Sequence, residues 1–366
     1  MLEQNPHITS DGTYQTAATS RGAFNSTVSS QWYKRTADET FASLSDLKAF
    51  TQKRFNVSDS KLLNTHDMNV VGDVDELNPT RGDITIKSDT GVHTPTNWAF
   101  GQLSRLAGAP ASYLQDLPAP LVADNLNWGL RYNREKEQIL ELVSDSDSAR
   151  AYTGPDYGRI WHHEIVDTID SMNQRTGNRF KIPGKIDWSR RSDNGTVTYD
   201  PNATADSTLY ASDRDMFGFL CDDRNPIEIG KLDNGKPDLL FRGFYFWNSE
   251  EGSRTAGVAA FYLRGICENR CLWGVENFQE MKIRHTKFAS DRFAAEATPA
   301  LESFCEGSSS DLVAGVEKAK EAIVAHDNDS MLAFLNKRAG LSRKQSTAAI
   351  ARHVEEENKE PRSVWD

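Results

Sequence analysis

Four cysteines in 366 residues, Cys221, Cys267, Cys271 and Cys305, are too few to staple a chain of this size. The fold must therefore rest on buried apolar surface, and free thiols in a reducing cytoplasm are expected. No apolar run approaches the roughly 20 residues that cross a bilayer, so no membrane partner is expected. The opening MLEQNPHITSDGTYQTAATSRG has neither a positive leader nor an apolar core. It reads as a polar arm rather than a signal peptide.

The signatures of common chemistries are missing as well. There is no G-x-x-x-x-G-K phosphate loop and no G-x-S-x-G nucleophile elbow. His162-His163-Glu164 lacks the i, i+4 histidine pair of zinc peptidases. Adjacent helical side chains point about 100° apart, so a surface or helix-end role is expected for these histidines. Cys267 and Cys271 with His285 and Cys305 would make a tetrahedral set. Structural zinc sites favour two-residue spacers, however, and cysteines buried beside Leu272 and Trp273 are the simpler reading. No cofactor and no catalytic residue is assigned; Mg²⁺ stays open because carboxylates are abundant.

What is present is a sizeable core and a divided charge. Hydrophobic residues make up 38% of the chain, enough for one large domain or two, and the net charge is −11. That sum disfavours loose attraction to bulk nucleic acid, but the bases cluster. Residues 174–191 hold Arg175, Arg179, Lys181, Lys185, Arg190 and Arg191 against the single acid Asp187. A second group, Arg264, Arg270, Lys282, Arg284, Lys287 and Arg292, follows the aromatic run Phe241, Phe244, Tyr245, Phe246 and Trp247.

Periodicity predicts helices within 41–50, from Asn97 to a Gly108 cap, over 120–136 and from Ile160 to Gln174. Short strands are expected at 84–86 and 139–144. DMFGFLCD and NPIEIG read as two strands parted by a charged turn; a hairpin through Asn234-Gly235 then leads to a long aromatic strand and a further strand at 257–264. Helices resume after Phe288, break at 307–310 and continue in three pieces. The expected fold is α+β, a central mostly antiparallel sheet flanked by N- and C-terminal helices. Its segments are a polar arm (1–31), a core domain (32–306) and a C-terminal helical segment (311–366).

Backbone phosphates want repeated Lys/Arg contacts, and splayed bases stack on aromatic rings. On that ground Arg264, Arg270, Lys282, Arg284, Lys287, Arg190 and Arg191 are candidate phosphate contacts, His285 and Asn269 candidate orienting groups, and Tyr245 or Trp247 a candidate stacking platform. Equally, the aromatics could be the buried side of a sheet and the arginines its wet rim.

Three segments resemble the phage- and plasmid-associated family called domain of unknown function 932: Asn248-Ser249-Glu250-Glu251-Gly252, Arg264-Gly265-Ile266-Cys267-Glu268-Asn269 and Lys282-Ile283-Arg284-His285-Thr286. The likeness extends over about residues 95–305 and takes in the Ala149–Ile160 stretch. The family's His-Asp in the first motif is Glu250-Glu251 here. The resemblance implies a mobile-element origin, with expression in the host cytoplasm if phage-encoded, and supplies no catalytic residues. The expected function is single-strand DNA binding or annealing for recombination by a homo-oligomer. An anti-defence protein that binds a host protein and a metal-dependent nuclease are the alternatives.

Overall fold

Every second side chain of the aromatic run points into one core, and the strand that carries it is the centre of the larger of two sheets. The computed structural model describes residues 39–74, 83–132, 138–144, 147–182, 184–187, 198–204, 208–231, 235, 237–264, 272–274 and 281–366. In chain order the first elements are β1 (Thr40–Phe41), α1 (Leu44–Asn56), β2 (Ser58–Asn64), β3 (Asn69–Gly72), β4 (Ile84–Ser88) and β5 (Gly91–Pro95). Then come α2 (Asn97–Leu106), α3 (Ala111–Leu114), α4 (Ala119–Tyr132), β6 (Gln138–Ser144), β7 (Ser148–Thr153) and α5 (His162–Arg175). The strand-rich middle holds β8 (Gly184–Asp187), β9 (Thr198–Thr204), β10 (Leu209–Ala211), β11 (Met216–Lys231), β12 (Pro237–Asn248), β13 (Ala256–Arg264), β14 (Leu272–Gly274) and β15 (Met281–Ile283). Four helices follow: α6 (Ala289–Glu306), α7 (Ser310–Glu321), α8 (Asn328–Arg338) and α9 (Arg343–Glu357).

The result is an α+β fold with two mostly antiparallel sheets. One runs β1-β10-β11-β12-β13-β14, with β15 also paired to β13; the other runs β2-β6-β7-β5-β4-β3; β8 and β9 form a separate pair. Only β5 and β7 pair in parallel among the described strands. Phe244 and Phe246 of β12 are fully buried with Leu47 of α1, Ile165 and Ile169 of α5, and Phe293 and Leu301 of α6. Each such ring is worth roughly 1.5–3 kcal/mol on burial. The smaller sheet packs its own core, with Leu103, Leu126 and Ile139 fully buried, against α2 and α4.

Glycine seats the aromatics of the larger sheet. Gly218 pairs across the strands with Phe246, Gly243 with Phe261 and Gly257 with Trp247. In each pair the ring lies where a Cβ on the glycine would be. A run this rich in rings packs because small residues face the large ones across the ladder.

Two expectations are corrected. DMFGFLCD and NPIEIG belong to one strand, β11, whose register shifts between Asp222 and Ile227. The charged residues form an irregularity rather than a turn, and Asn225 Nδ2 bonds both Asp222 carboxylate oxygens at 2.8 and 2.9 Å. The first half is also richer in strands than its periodicity suggests. β2 carries mostly polar residues with a single buried leucine, and every β7 residue after Ser148 is buried, so neither shows a clean alternation. Among the described residues no helix is long and apolar enough to cross a membrane.

Candidate functional site

The tight turn between β12 and β13 puts two carboxylates into the interior. Asn248, Ser249, Glu250 and Glu251 are each at most 2% exposed. Charged groups so placed need partners, because desolvation alone costs several kcal/mol per ion. The first partner comes from the smaller sheet. Arg150 of β7, itself 2% exposed, sits with Nη2 3.0 Å from Glu250 Oε2. Its Nη1 also reaches Ser58 Oγ at 3.3 Å, and Nη2 also donates to the Asp213 carbonyl.

A helix start supplies the second partner. The His162 main-chain N–H, at the first residue of α5, donates to Glu250 Oε1 at 2.9 Å, where the helix dipole favours negative charge. Arg159 Nη1 donates to the Glu250 carbonyl. Burial pushes the Glu250 carboxyl up, but the Arg150 charge and hydrogen bond and that N–H outweigh it and hold the group below the ordinary carboxylate range.

Glu251 is treated differently. Its carbonyl accepts from Trp98 Nε1 at 2.9 Å and Gln102 Nε2 at 3.0 Å, both on α2. Gln102 Oε1 accepts the Tyr152 N–H at 2.8 Å, which fixes the amide against β7. Its side chain has less. Oε1 is buried without a hydrogen bond, and the nearest cation, Arg150 Nε, lies 3.7 Å away. Burial therefore dominates over Arg150 and Arg214, and with Asp213 and Glu250 nearby the carboxyl is pushed up to about 7.

His162 is a third buried titratable group. Asn248 Nδ2 donates to the Ile160 carbonyl at 2.7 Å and faces His162 Nδ1 at 3.0 Å. An amide N–H there makes Nδ1 the acceptor, so the neutral ring carries its proton on Nε2. Burial lowers the pKa of the ring, which favours this neutral form. The helix-end position expected of the histidine pair is found, but His162 is buried rather than at the surface.

The basic turn lies against the same cluster. Tyr157 bridges to Thr286, and the Gly158 N–H donates to the His285 carbonyl at 3.3 Å. A Cβ on Gly158 would overlap the Thr286 carbonyl. The His285 ring stacks on Tyr157 at 4.9 Å between centroids. Its Nδ1 faces the Gly158 carbonyl at 3.3 Å and Nε2 the Arg254 carbonyl at 3.1 Å. The carbonyls would favour a charged ring; burial is the stronger influence and lowers its pKa to about 4. The segments 149–160, 248–252 and 282–286, more than a hundred residues apart at the extremes, thus meet at one place.

The residues expected to bind nucleic acid divide sharply. Arg284 and Lys287 are exposed, as is Lys282, and Phe288 beside them is 66% exposed. Both His285 ring nitrogens face main-chain carbonyls within the molecule, and the single N–H of the neutral ring is directed at one of them rather than outward. Arg264 is corrected too. It is 8% exposed, held by Asp238 at 3.0 and 2.8 Å and by Glu357, with Trp365 stacked over its guanidinium at 5.0 Å. Tyr245 and Trp247 are half-buried in an aromatic ladder, 5.5 Å apart, with Phe217 and Phe261 against Tyr245. That matches the sheet-face alternative better than a free platform. Asn269, Arg270, Arg190 and Arg191 lie outside the described residues, as do Cys267 and Cys271. Cys305 is buried, and burial pushes its thiol up to about 12. Among the described residues no three His, Cys, Asp or Glu side chains are arranged to hold a metal.

No family model, no curated protein and no solved structure matches the chain. The resemblance to the phage and plasmid family stands on its motif residues alone.

Arg150, Arg159, Trp98 and Gln102 are the members of the cluster that sequence reasoning missed. One signal was present: an arginine set between alanines in Ser148-Ala149-Arg150-Ala151-Tyr152. A lone charge in so apolar a segment needs a buried counter-charge.

Proposed function

We propose that the chain binds single-stranded nucleic acid through the strand–turn–helix segment from Lys282 to Phe288. The observation that carries this reading is the exposed trio Arg284, Lys287 and Phe288, two cations and an aromatic ring at the start of α6. The helix that follows has 18 residues and no side-chain cap at Phe288, although the Ala289 N–H is already bonded to the Thr286 carbonyl and Asp291 lies in its first turn. The turn is held rigidly from behind by Tyr157, Gly158 and His285, which lowers the ordering cost of binding. Self-association belongs to the same proposal through its annealing form, and a phage or plasmid origin rests on the resemblance.

Replacing Arg284 and Lys287 together by alanine should weaken binding to a labelled oligonucleotide and reduce the salt slope by about 1 for each phosphate no longer neutralised. Fluorescence anisotropy at two salt concentrations, with and without Mg²⁺ and with the end-point samples run on a gel, measures this. Unchanged affinity in the double variant would remove the site, and shortened oligonucleotide would indicate a nuclease. A second reading, docking on another protein, is favoured by the outward stripe of α4, where Leu121, Trp128 and Tyr132 are 49%, 69% and 57% exposed. It predicts no oligonucleotide binding and a loss of partner capture when Trp128 is changed to serine.

A further inference from the structure

Two carboxylates lie against the buried Arg150 guanidinium at the junction of the sheets, and only one of them is hydrogen-bonded to it. Arg150 gives hydrogen bonds to Glu250, Ser58 and the Asp213 carbonyl, which leaves only Nε turned toward Glu251, beyond hydrogen-bond distance at 3.7 Å. With Arg150 committed to Glu250 and Arg159 bonded to the Glu250 carbonyl rather than to a carboxylate, the two adjacent carboxylates do not both stay ionised at little cost. Glu250 also holds the helix N–H of His162, so Glu251 is the member that keeps a proton.

The main chain of that same residue joins the layers. Its carbonyl receives Trp98 and Gln102 from α2, its N–H donates to Ser249 Oγ at 3.3 Å, and three residues on the Arg254 carbonyl faces His285. The turn is therefore the link between α2, on the smaller sheet, and the basic turn beside β15.

We propose that Glu251 is a proton-operated latch: protonated, it lets the 248–254 turn sit closed between α2 and His285, and ionised, it loosens that turn. The inference does not depend on nucleic-acid binding. The titratable and charged groups that face the carboxyl are Arg150 from β7, Arg214 and Asp213 from the β10–β11 connection, Glu250 in the turn itself, and Tyr157 and Arg159 from the β7–α5 connection. Asp213 is in turn paired with Arg54 of α1 at 2.6 Å, and Asp215 lies 3.7 Å from Arg254. None of these supplies Glu251 Oε1 with a hydrogen bond. Its shifted titration, to about 7, sets the range in which the latch works.

The sign follows from the linkage. The folded-state value lies above the ordinary carboxyl value of 4.5, so the stabilisation is complete below that pH and is lost as pH rises through about 7. Wild type should lose denaturant midpoint between pH 5 and pH 8 relative to Glu251→Gln, whose neutral amide cannot ionise. The two curves should meet near pH 5 and separate by pH 8, with the variant higher. Amide exchange of residues 249–254, corrected for intrinsic base catalysis, should speed up in wild type between pH 6 and pH 8 by up to about tenfold, and not in the variant. Parallel stability curves, or a stability difference with no change in exchange at this turn, would overturn the latch. If Glu251→Gln does not fold, the wild-type exchange ratio decides alone: a turn as protected at pH 8 as at pH 6 ends the proposal.

Discussion

Arg150→Met should cost about 3–5 kcal/mol, the range for breaking a buried ion pair from one side. Methionine fills much of the same volume, so the loss reports charge more than cavity. Glu250 would keep the His162 N–H but lose its fixed counter-ion, and the Asp213 carbonyl and Ser58 would lose a donor. Urea unfolding at pH 7 measures the effect. The wild-type Glu250 carboxyl is held below its ordinary range, so its contribution is present at neutral pH and falls away on acidification through the folded-state value. In the variant that contribution is gone, and its deficit against wild type should shrink under acid conditions. Arg175→Ala is the natural comparison. Its partner Glu302 is 2.8 Å away, but the arginine side chain is 52% exposed, and a pair of that kind is worth about 0–1 kcal/mol. Similar losses in the two variants would mean that the cluster does not carry the weight assigned to Arg150.

Gly158→Ala should be the second most damaging change, at about 3 kcal/mol, the upper end of the overpacking range. The added methyl would meet main chain, the Thr286 carbonyl and the Lys287 carbonyl carbon, rather than the end of a side chain that can swing aside. Relief requires the basic turn to move away from Tyr157, which would also undo the stacking of His285. Oligonucleotide affinity should fall with stability in this variant, whereas Gly154→Ala, where a Cβ has open space, should leave both unchanged. A Gly158→Ala protein with wild-type stability would mean that the two segments do not touch as described.

The elements were far more legible than the chemistry. Helices with clear caps were placed well: Thr96 accepts from the Ala99 N–H at the start of α2, and Gly108 has φ +73 just beyond its end. The aromatic strand and the glycines beside it were visible as a run. Sheet membership was not, because β2 is polar and nearly all of β7 is buried, so neither advertises a face. At the site, the turn and the basic segment stood out in the sequence, yet the roles differ. Local spacing cannot reveal that Arg264 is covered by Glu357 and Trp365, about a hundred residues later in the chain. Nor can it show that Arg150 answers Glu250 from the other sheet, since that pairing exists only once both sheets are assembled.

The pairing of Thr40 with Tyr210 has a consequence for how the chain is made. The larger sheet receives its first strand before any residue of the smaller sheet has been synthesised, and its second at β10, after the smaller sheet is complete. A ribosome must deliver the whole of the smaller sheet while β1 waits without a neighbour. Closure across so long a loop is slow compared with local helix formation. All strands of the smaller sheet are therefore synthesised before the larger sheet has two neighbouring strands to pair, although the larger one is the first to be started.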